Sequence, residues 1–287
     1  MREPPAISGT TRLYGIVGDP VKASLSPVMQ NAAFRALGID AVYVPFPVAA
    51  DRLAAAVRGL AALGVEGFNV TVPHKQALLP LLDRVLPDAL ALGAVNTVRR
   101  EGARLIGTNT DGEGFLLSLR RDLGWAPQGK HVLLLGAGGS ARAIAFCLLN
   151  AGVARLSIAN RTAERATALV ADTRTRFPAA RVEALPLEGA AGLAPDLLVN
   201  STTLGMASNA TGAGRNPVDL ARLGVREAVV DIVYNPLETP LLAQAHSLGL
   251  PCTNGIGMLL YQGGAAFRFW TDREPPLEAM RAALPTP

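Results

Sequence analysis

A chain of 287 residues, 49% hydrophobic and 17% charged, has the length for two domains of ordinary size and the apolar content for a substantial core. Its net charge is only +4, and no Lys/Arg stripe forms, which argues against nucleic-acid binding; no apolar run approaches transmembrane length. Cys147 and Cys252 stand apart in apolar surroundings and read as reduced thiols of a cytoplasmic protein, and the N-terminus lacks a charged-then-apolar signal pattern. His74, His131 and His246 have no metal-ligand spacing, so no metal is expected. Disorder is expected only at the Pro-rich ends, 1–10 and 284–287.

Residues 13–18 (LYGIVG) read as a strand, and Asp19-Pro20 turns the chain. Ser26 as N-cap and Pro27 at the first helical position start a helix that runs to about Leu37 and stops at Gly38. A strand at 41–46, an Ala-rich amphipathic helix at 50–63 and a strand at 67–72 follow, and Pro73-His74-Lys75 opens another helix. Residues 90–96 lead into a hairpin that turns at Glu101-Gly102, and a polar loop at 108–112 precedes a helix over 113–123. Segment 124–130 reads as a boundary. A second series then places strands at 132–135, 156–159, 182–185, 197–200 and 228–233, with a long helix ending near Phe177 and a Gly/Ser/Asn/Thr-rich loop over 201–216. A helix to Ser247, a short strand at 251–253, a long helix to about Trp270 and a terminal helix near 277–284 complete the chain. Such strand–helix alternation predicts an α/β fold with mostly parallel sheets.

The second series begins at 132–143, VLLLGAGGSARA. Four apolar residues run into Gly136, Ala137, Gly138, Gly139, Ser140 and Ala141. Gly136 permits a tight turn, Gly138 lets the backbone approach a pyrophosphate, and Ala141 allows close packing of helix on strand. Free N–H groups and the positive end of a helix dipole suit phosphate. Alone, the string also fits an ordinary strand–turn–helix. A dinucleotide fingerprint normally places an acidic residue at the end of the next strand, to hold the ribose 2′-OH of NAD. Here that strand ends in Asn160, Arg161 and Thr162. Arg161 can stack on adenine and pair with a 2′-phosphate, Asn160 and Thr162 can hydrogen-bond it, and Arg165 adds charge one turn along, which favours NADP over NAD. The plain alternative is that both arginines are solvated and Thr162 caps the next helix.

The 27 basic residues include only three lysines, Lys22, Lys75 and Lys130. Lysine can exchange a proton where arginine effectively cannot, so a lysine inside a motif draws the eye. Before the glycine-rich stretch, Ser24, Ser26, Asn69, Thr71, Lys75, Asn96 and Asp111 lie at expected strand ends and helix starts, where α/β ligands usually sit. These hydroxyls and amides suit a polyhydroxylated small molecule, and Lys75 with Asp111 suits proton transfer beside a hydride.

Taken in order, Ser24-Leu-Ser-Pro27, Asn69-Val-Thr-Val-Pro-His-Lys75, Gly93-Ala-Val-Asn-Thr97, Gly107-Thr-Asn-Thr-Asp-Gly112, Gly136-Ala-Gly-Gly-Ser140, Asn160-Arg-Thr162, Asn200-Ser-Thr-Thr-Leu-Gly-Met206, Asp231-Ile-Val-Tyr-Asn-Pro236 and Gly255-Ile-Gly-Met-Leu259 with Gln262 resemble the shikimate dehydrogenase family over nearly the whole chain. The resemblance implies an N-terminal mostly parallel α/β substrate domain, 1–112, completed by C-terminal helices at 256–287. A Rossmann-type NADP domain at 113–255 and a cleft between the two are implied with it. It also implies reversible NADPH-dependent reduction of 3-dehydroshikimate to shikimate, by a monomer or homodimer with no membrane or nucleic-acid partner.

Carried over by motif, Ser24 and Ser26 would bind the substrate carboxylate, and Thr71, Asn96 and Gln262 the ring hydroxyls. Lys75 and Asp111 would be the catalytic pair, with Lys75 giving a proton or hydrogen bond to the developing alkoxide and Asp111 orienting it; a water-shared relay is equally compatible. Tyr234 would face substrate, while Ile232, Gly255 and Met258 would meet the cofactor. Plainer readings stand beside these: Ser26 as a cap, Thr71 as a β-former, Asn96 as a turn residue, Gln262 as a solvated helix position, Met258 as core filler, Asp111 as an N-cap, and Lys75 as a surface charge at a helix start, where the dipole disfavours a cation. The stretch 205–214 reads as a mobile lid or a surface loop. Use of quinate or NAD is the near alternative, and a non-catalytic NADP-binding regulator on the same fold is a more distant one. A methylene-tetrahydrofolate dehydrogenase sharing only the nucleotide module fits Ser24-Leu-Ser26 and Asn109-Thr-Asp111 poorly.

Overall fold

The computed structural model describes residues 7–207, 212 and 214–286. The chain forms two compact units, residues 1–114 with 259–286, and 115–258.

The first unit is built on a six-stranded sheet. In chain order it contains β1 (Arg12–Gly18), α1 (Ser26–Ala36), β2 (Ala41–Pro47), α2 (Leu53–Ala62), β3 (Gly67–Val70), β4 (Arg84–Val85), α3 (Pro87–Leu92), β5 (Thr97–Glu101) and β6 (Arg104–Thr108), and α4 (Asp111–Asp122) leads out of it. The strand order is β2-β1-β3-β5-β6-β4. β2, β1 and β3 are parallel, and the β5–β6 hairpin joins antiparallel to β3. Val17, Phe68, Val70 and Val98 pack with Leu53, Val57 and Leu60 of α2. A second apolar cluster joins Tyr14, Phe34, Phe267 and Trp270, with ring centroids 5.0–5.5 Å apart, and the Trp270 indole N–H donates to the Val98 carbonyl at 2.8 Å. These aromatic contacts dock the late helix α9 (Ile256–Thr271) onto the first unit, followed by α10 (Leu277–Ala282).

The second unit adds β7 (His131–Leu135), α5 (Gly139–Asn150), β8 (Arg155–Asn160), α6 (Ala163–Arg176), β9 (Arg181–Pro186), β10 (Leu197–Asn200), α7 (Leu220–Leu223), β11 (Ala228–Asp231), α8 (Pro240–Ser247) and β12 (Cys252–Thr253). Its strands run β12-β11-β10-β7-β8-β9, all parallel. Counted from β7, this is the doubly wound order in which a dinucleotide binds beyond the strand C-termini, where the order reverses. The near-continuous apolar runs have a physical cause: Val132 and Leu134 enter one core and Leu133 and Leu135 the other, so both faces of the sheet are covered.

Two local expectations are corrected. No α-helix follows Lys75: residues 75–78 form turns, and a short 3-10 segment spans Leu79–Leu81. Pro80 has no N–H to donate to the Gln76 carbonyl, so a helix begun at Lys75 has nothing to continue on. Ser26 opens α1, but its side chain makes no capping hydrogen bond; the Ser24 hydroxyl instead accepts from the Ser26 N–H at 3.3 Å. Of the ends expected to be disordered, Thr10 donates to Asp40 at 2.9 Å and Leu284 is buried, while residues 1–6 and 287 lie outside the described residues.

Candidate active site

The register of the first sheet gathers polar loops on one edge. β1 and β3 end there, β5 begins there opposite β3 (Asn69 beside Thr97), and β6 ends there opposite β5 (Thr97 beside Thr108). The loops that leave this edge carry Ser24 and Ser26 after β1, Thr71 and Lys75 after β3, Asn96 before β5 and Asp111 after β6. Ser24 and Thr71 are half-buried and Ser26 is buried.

Lys75 and Asp111 form an ion pair of 2.6 Å, Nζ to Oδ2, with side chains 9% and 6% exposed. Such a pair loses water on both partners, so removing one strands the other's charge. The Lys75 carbonyl accepts from the Val95 N–H at 2.8 Å, and buried His74 is held by a 2.7 Å contact between Nε2 and the Val48 carbonyl. Asp111 is the first residue of α4, where the dipole favours an anion, and its N–H donates to Asn109 Oδ1 at 3.0 Å. Neither residue therefore has the plain role of a surface lysine or a mere cap.

The other Asp111 oxygen, Oδ1, accepts from Asn96 Nδ2 at 2.7 Å. Asn96 Oδ1 accepts from the Thr110 N–H at 2.8 Å and from the Thr97 hydroxyl at 2.9 Å, which fixes the amide so that nitrogen faces Asp111. Thr97 in turn accepts from Asn69 Nδ2 at 3.0 Å, and Asn69 Oδ1 accepts from the Tyr43 hydroxyl at 2.8 Å. Gln262 on α9 is buried rather than solvated; its Nε2 donates to the Leu259 carbonyl at 2.9 Å and its Oε1 faces Asn96 Nδ2 at 3.4 Å. The structure thus joins Lys75, Asp111, Asn96 and Gln262 in one network. Tyr43, Thr97, Thr110 and Asn109 complete it without having been singled out in the sequence. Thr97, Thr110 and Asn109 lie inside motifs already noted, whereas Tyr43 carries no local signal.

In the second unit, Gly136 follows β7 with φ +109, and a Cβ there would stand 2.6 Å from Ser201 Oγ. Gly138 precedes α5, and beyond its chain neighbours no atom lies within 4 Å of the position its Cβ would take. Ala137 packs at the margin of the core, Ala141 is fully buried, and Gly139 and Ser140 open the 12-residue helix. An uncrowded backbone at a helix N-terminus fits a pyrophosphate. At the end of β8, Asn160 is half-buried and Arg161, Thr162 and Arg165 are exposed. Thr162 occupies the N-cap position of α6 without a side-chain capping bond, and its carbonyl accepts from Asn160 Nδ2 at 2.8 Å. This edge presents guanidinium groups and no carboxylate at the strand end, which fits a 2′-phosphate. Ile232 and Tyr234 are half-buried after β11. Gly255 is buried against that segment: its N–H donates to the Val233 carbonyl at 3.0 Å, and a Cβ would overlap the Ile232 carbonyl oxygen. Met258 packs in the core of this unit. Of the stretch read as a lid or loop, residues 208–211 and 213 lie outside the described residues. Among the described residues, no group of three His, Cys, Asp or Glu could hold a metal ion, and no helix is long and apolar enough to cross a membrane.

Three family models match the chain: the shikimate dehydrogenase substrate binding domain over 16–98, shikimate / quinate 5-dehydrogenase over 120–203, and the shikimate 5'-dehydrogenase C-terminal domain over 255–284. The chain is 50% identical over 279 residues, 96% of each chain, to a shikimate dehydrogenase (NADP(+)) of Geobacter metallireducens. Among solved structures it is similar to the shikimate 5-dehydrogenase of Thermus thermophilus in complex with NADP(H) and shikimate, at 37% identity and TM-score 0.83, covering 95% of this chain and 98% of that one. A quinate dehydrogenase of Corynebacterium glutamicum in complex with NAD gives 33% identity and TM-score 0.86, covering 95% and 98%.

Proposed function

The chain belongs to the shikimate dehydrogenase family, and on that premise we propose how its residues divide the reaction among them. It is an oxidoreductase that reversibly reduces 3-dehydroshikimate to shikimate with NADPH, on the route to chorismate and the aromatic amino acids. The bound dinucleotide supplies a hydride to the carbonyl carbon. The protein's task is to hold the substrate, place its carbonyl oxygen at a proton donor and exclude competing geometries.

Lys75 Nζ gives a proton, directly or through a shared water, to the oxygen that becomes the shikimate hydroxyl. Asp111 holds the ammonium in place and hydrogen-bonds the same hydroxyl. An ammonium at that oxygen acts on charge present chiefly in the transition state. Ser24 and Ser26 take the carboxylate, Thr71, Asn96 and Gln262 the ring hydroxyls, and Tyr234 also faces substrate. Gly136, Ala137, Gly138, Gly139 and Ser140 cradle the pyrophosphate. Asn160, Arg161, Thr162 and Arg165 take the 2′-phosphate, and Ile232, Gly255 and Met258 line the nicotinamide. The first unit serves as the substrate domain and the second as the NADP domain, close to the division 1–112 with 256–287 and 113–255 expected from the sequence. The enzyme works in the cytoplasm as a monomer or homodimer; the reduced thiols of Cys147 and Cys252 fit a reducing compartment.

The buried 2.6 Å Lys75–Asp111 pair, tied to Asn96 and Gln262, carries this reading. The test is an initial-rate comparison of shikimate and quinate, each with NADP⁺ and NAD⁺. Shikimate with NADP⁺ should be the fastest pair by at least about tenfold in kcat/KM, the scale of one charge-assisted contact. A preference for NAD⁺ would overturn the assignment of Arg161, and a preference for quinate would overturn the substrate assignment.

A further inference from the structure

Asp231 ends β11 and is fully buried, yet its hydrogen-bond partners are all neutral. Oδ1 accepts from Asn200 Nδ2 at 3.0 Å and from the Val233 N–H at 3.1 Å, and Oδ2 accepts from the Thr239 hydroxyl at 2.7 Å. Burial pushes its carboxyl up to about 6, against the pull of these three donors. At neutral pH the fold therefore carries a desolvated anion with no cation bonded to it among the described residues, which costs stability that a neutral residue of the same shape would not.

The three donors come from different segments. Asn200 ends β10 and organises the loop beyond it: its Oδ1 accepts from the Thr202 N–H at 3.1 Å and the Thr202 hydroxyl at 2.7 Å. Ser201 in that loop donates from its hydroxyl to the Leu135 carbonyl at 2.6 Å, beside the glycine turn. Val233 belongs to the exit of β11, and its carbonyl accepts from the Gly255 N–H. Thr239 caps α8, accepting from the Leu242 N–H at 3.3 Å. One carboxylate thus clamps the exits of β10 and β11 and the start of α8, at the C-terminal edge of the sheet where dinucleotides bind.

We infer that Asp231 is a positioning residue for the nicotinamide half of the dinucleotide: it sets the Ile232–Val233 backbone, and through it Gly255, against the β10 exit loop. The inference rests on the reading above that Ile232 and Gly255 meet the nicotinamide. Asp231 itself is sealed from the ligand and acts through the backbone it holds. An anion accepts all three hydrogen bonds at once, whereas an amide must turn one nitrogen toward a donor.

The test compares two ligands on the full chain by titration calorimetry: NADP⁺, and adenosine 2′,5′-bisphosphate, which carries the adenine end alone. Asp231→Asn should raise the Kd for NADP⁺ about tenfold, one charge-assisted hydrogen bond's worth, and leave the bisphosphate within about twofold. The KM for NADP⁺ should rise while the KM for shikimate stays. Thr239→Val should repeat this split and Thr239→Ser should restore it, which keeps the inference open to test if Asp231→Asn folds poorly. Unchanged NADP⁺ binding in Asp231→Asn and Thr239→Val, or equal weakening of both ligands, overturns the positioning role. Arg161→Ala is the control for the underlying reading and should weaken both ligands. If it weakens neither, the placement of NADP on this unit fails rather than the clamp.

Discussion

Asp111 and Asp231 are both buried carboxylates at loop-bearing sheet edges, one in each unit, and they are compensated in opposite ways. Asp111 faces an ammonium at 2.6 Å and an amide at 2.7 Å. Asp231 faces an amide, a backbone N–H and a hydroxyl, none of them charged. Where a proton has to move, the chain keeps a partner able to give one. Where only shape has to be held, it uses neutral donors and tolerates the cost of the bare charge. The contrast separates a site for chemistry from a site for geometry, and each can be broken on its own.

The largest effect belongs to the charged pair. Lys75→Ala should lower kcat by about a thousandfold, within the span of general acid–base catalysis, and leave the KM for NADP⁺ in place. It also strands Asp111, so a stability loss of about 3–5 kcal/mol should appear in denaturant titration. A kcat within a few-fold of the parent enzyme would remove Lys75 from the chemical step.

Asp231 should respond to pH where neutral partners would not. Its carboxyl lies at about 6 in the folded chain against 3.8 ordinarily, so the folded state binds this proton more tightly than the unfolded state. The stabilisation is fully present below 3.8 and is lost as pH rises through 6. The displacement corresponds to roughly 3 kcal/mol between about pH 3.5 and pH 7. Asp231→Asn lacks this titration, so the stability difference between variant and parent should shift by that amount across the window, in the variant's favour toward neutral pH. A difference that stays flat with pH would mean that the three donors fully offset the burial of the Asp231 carboxylate.

How much of this was readable in the sequence follows from how local each signal is. The strands of the second unit announce themselves as apolar runs, because both faces of a parallel sheet are covered. Lys75 stands out because lysine is so scarce here. Tyr43 could not be found this way: as an aromatic in a strand it is ordinary, and it meets Asn69 only because β1 lies between β2 and β3. Asp231 was visible as a motif residue, but its burial depends on α8 folding Thr239 back over it. The helix expected after Lys75 failed on Pro80, a signal that was local and readable in the sequence.

Arg161→Ala addresses the exposed counterpart of these buried sites. A solvated guanidinium that meets a 2′-phosphate contributes about 1.5–3 kcal/mol as a charge-assisted hydrogen bond, so NADP⁺ affinity should fall about ten- to a hundredfold and NAD⁺ affinity little. The loss should shrink with added salt, because both partners sit in water. A loss of the same size for NAD⁺ would mean that Arg161 acts by stacking on adenine and not on the phosphate.

The smallest effect probes how far the chemical site extends. Tyr43→Phe keeps the ring, whose centroid lies 5.9 Å from that of Trp270, and removes only the hydroxyl that donates to Asn69. Asn69 Oδ1 then lacks its donor in a buried position, which costs about 1–3 kcal/mol of stability. The catalytic consequence has to pass through Asn69, Thr97 and Asn96 before reaching Asp111, and each link can relax, so kcat should fall only a few-fold. Thr97→Val cuts the same chain next to Asn96 and removes the Thr97 hydroxyl from its Oδ1, leaving the Thr110 N–H to hold the amide, so it should cost more in kcat than Tyr43→Phe at a comparable loss of stability. If the two variants lose equal kcat, or if Tyr43→Phe loses more, the hydrogen-bonded chain is scaffolding for the sheet and the chemical site ends at Asn96.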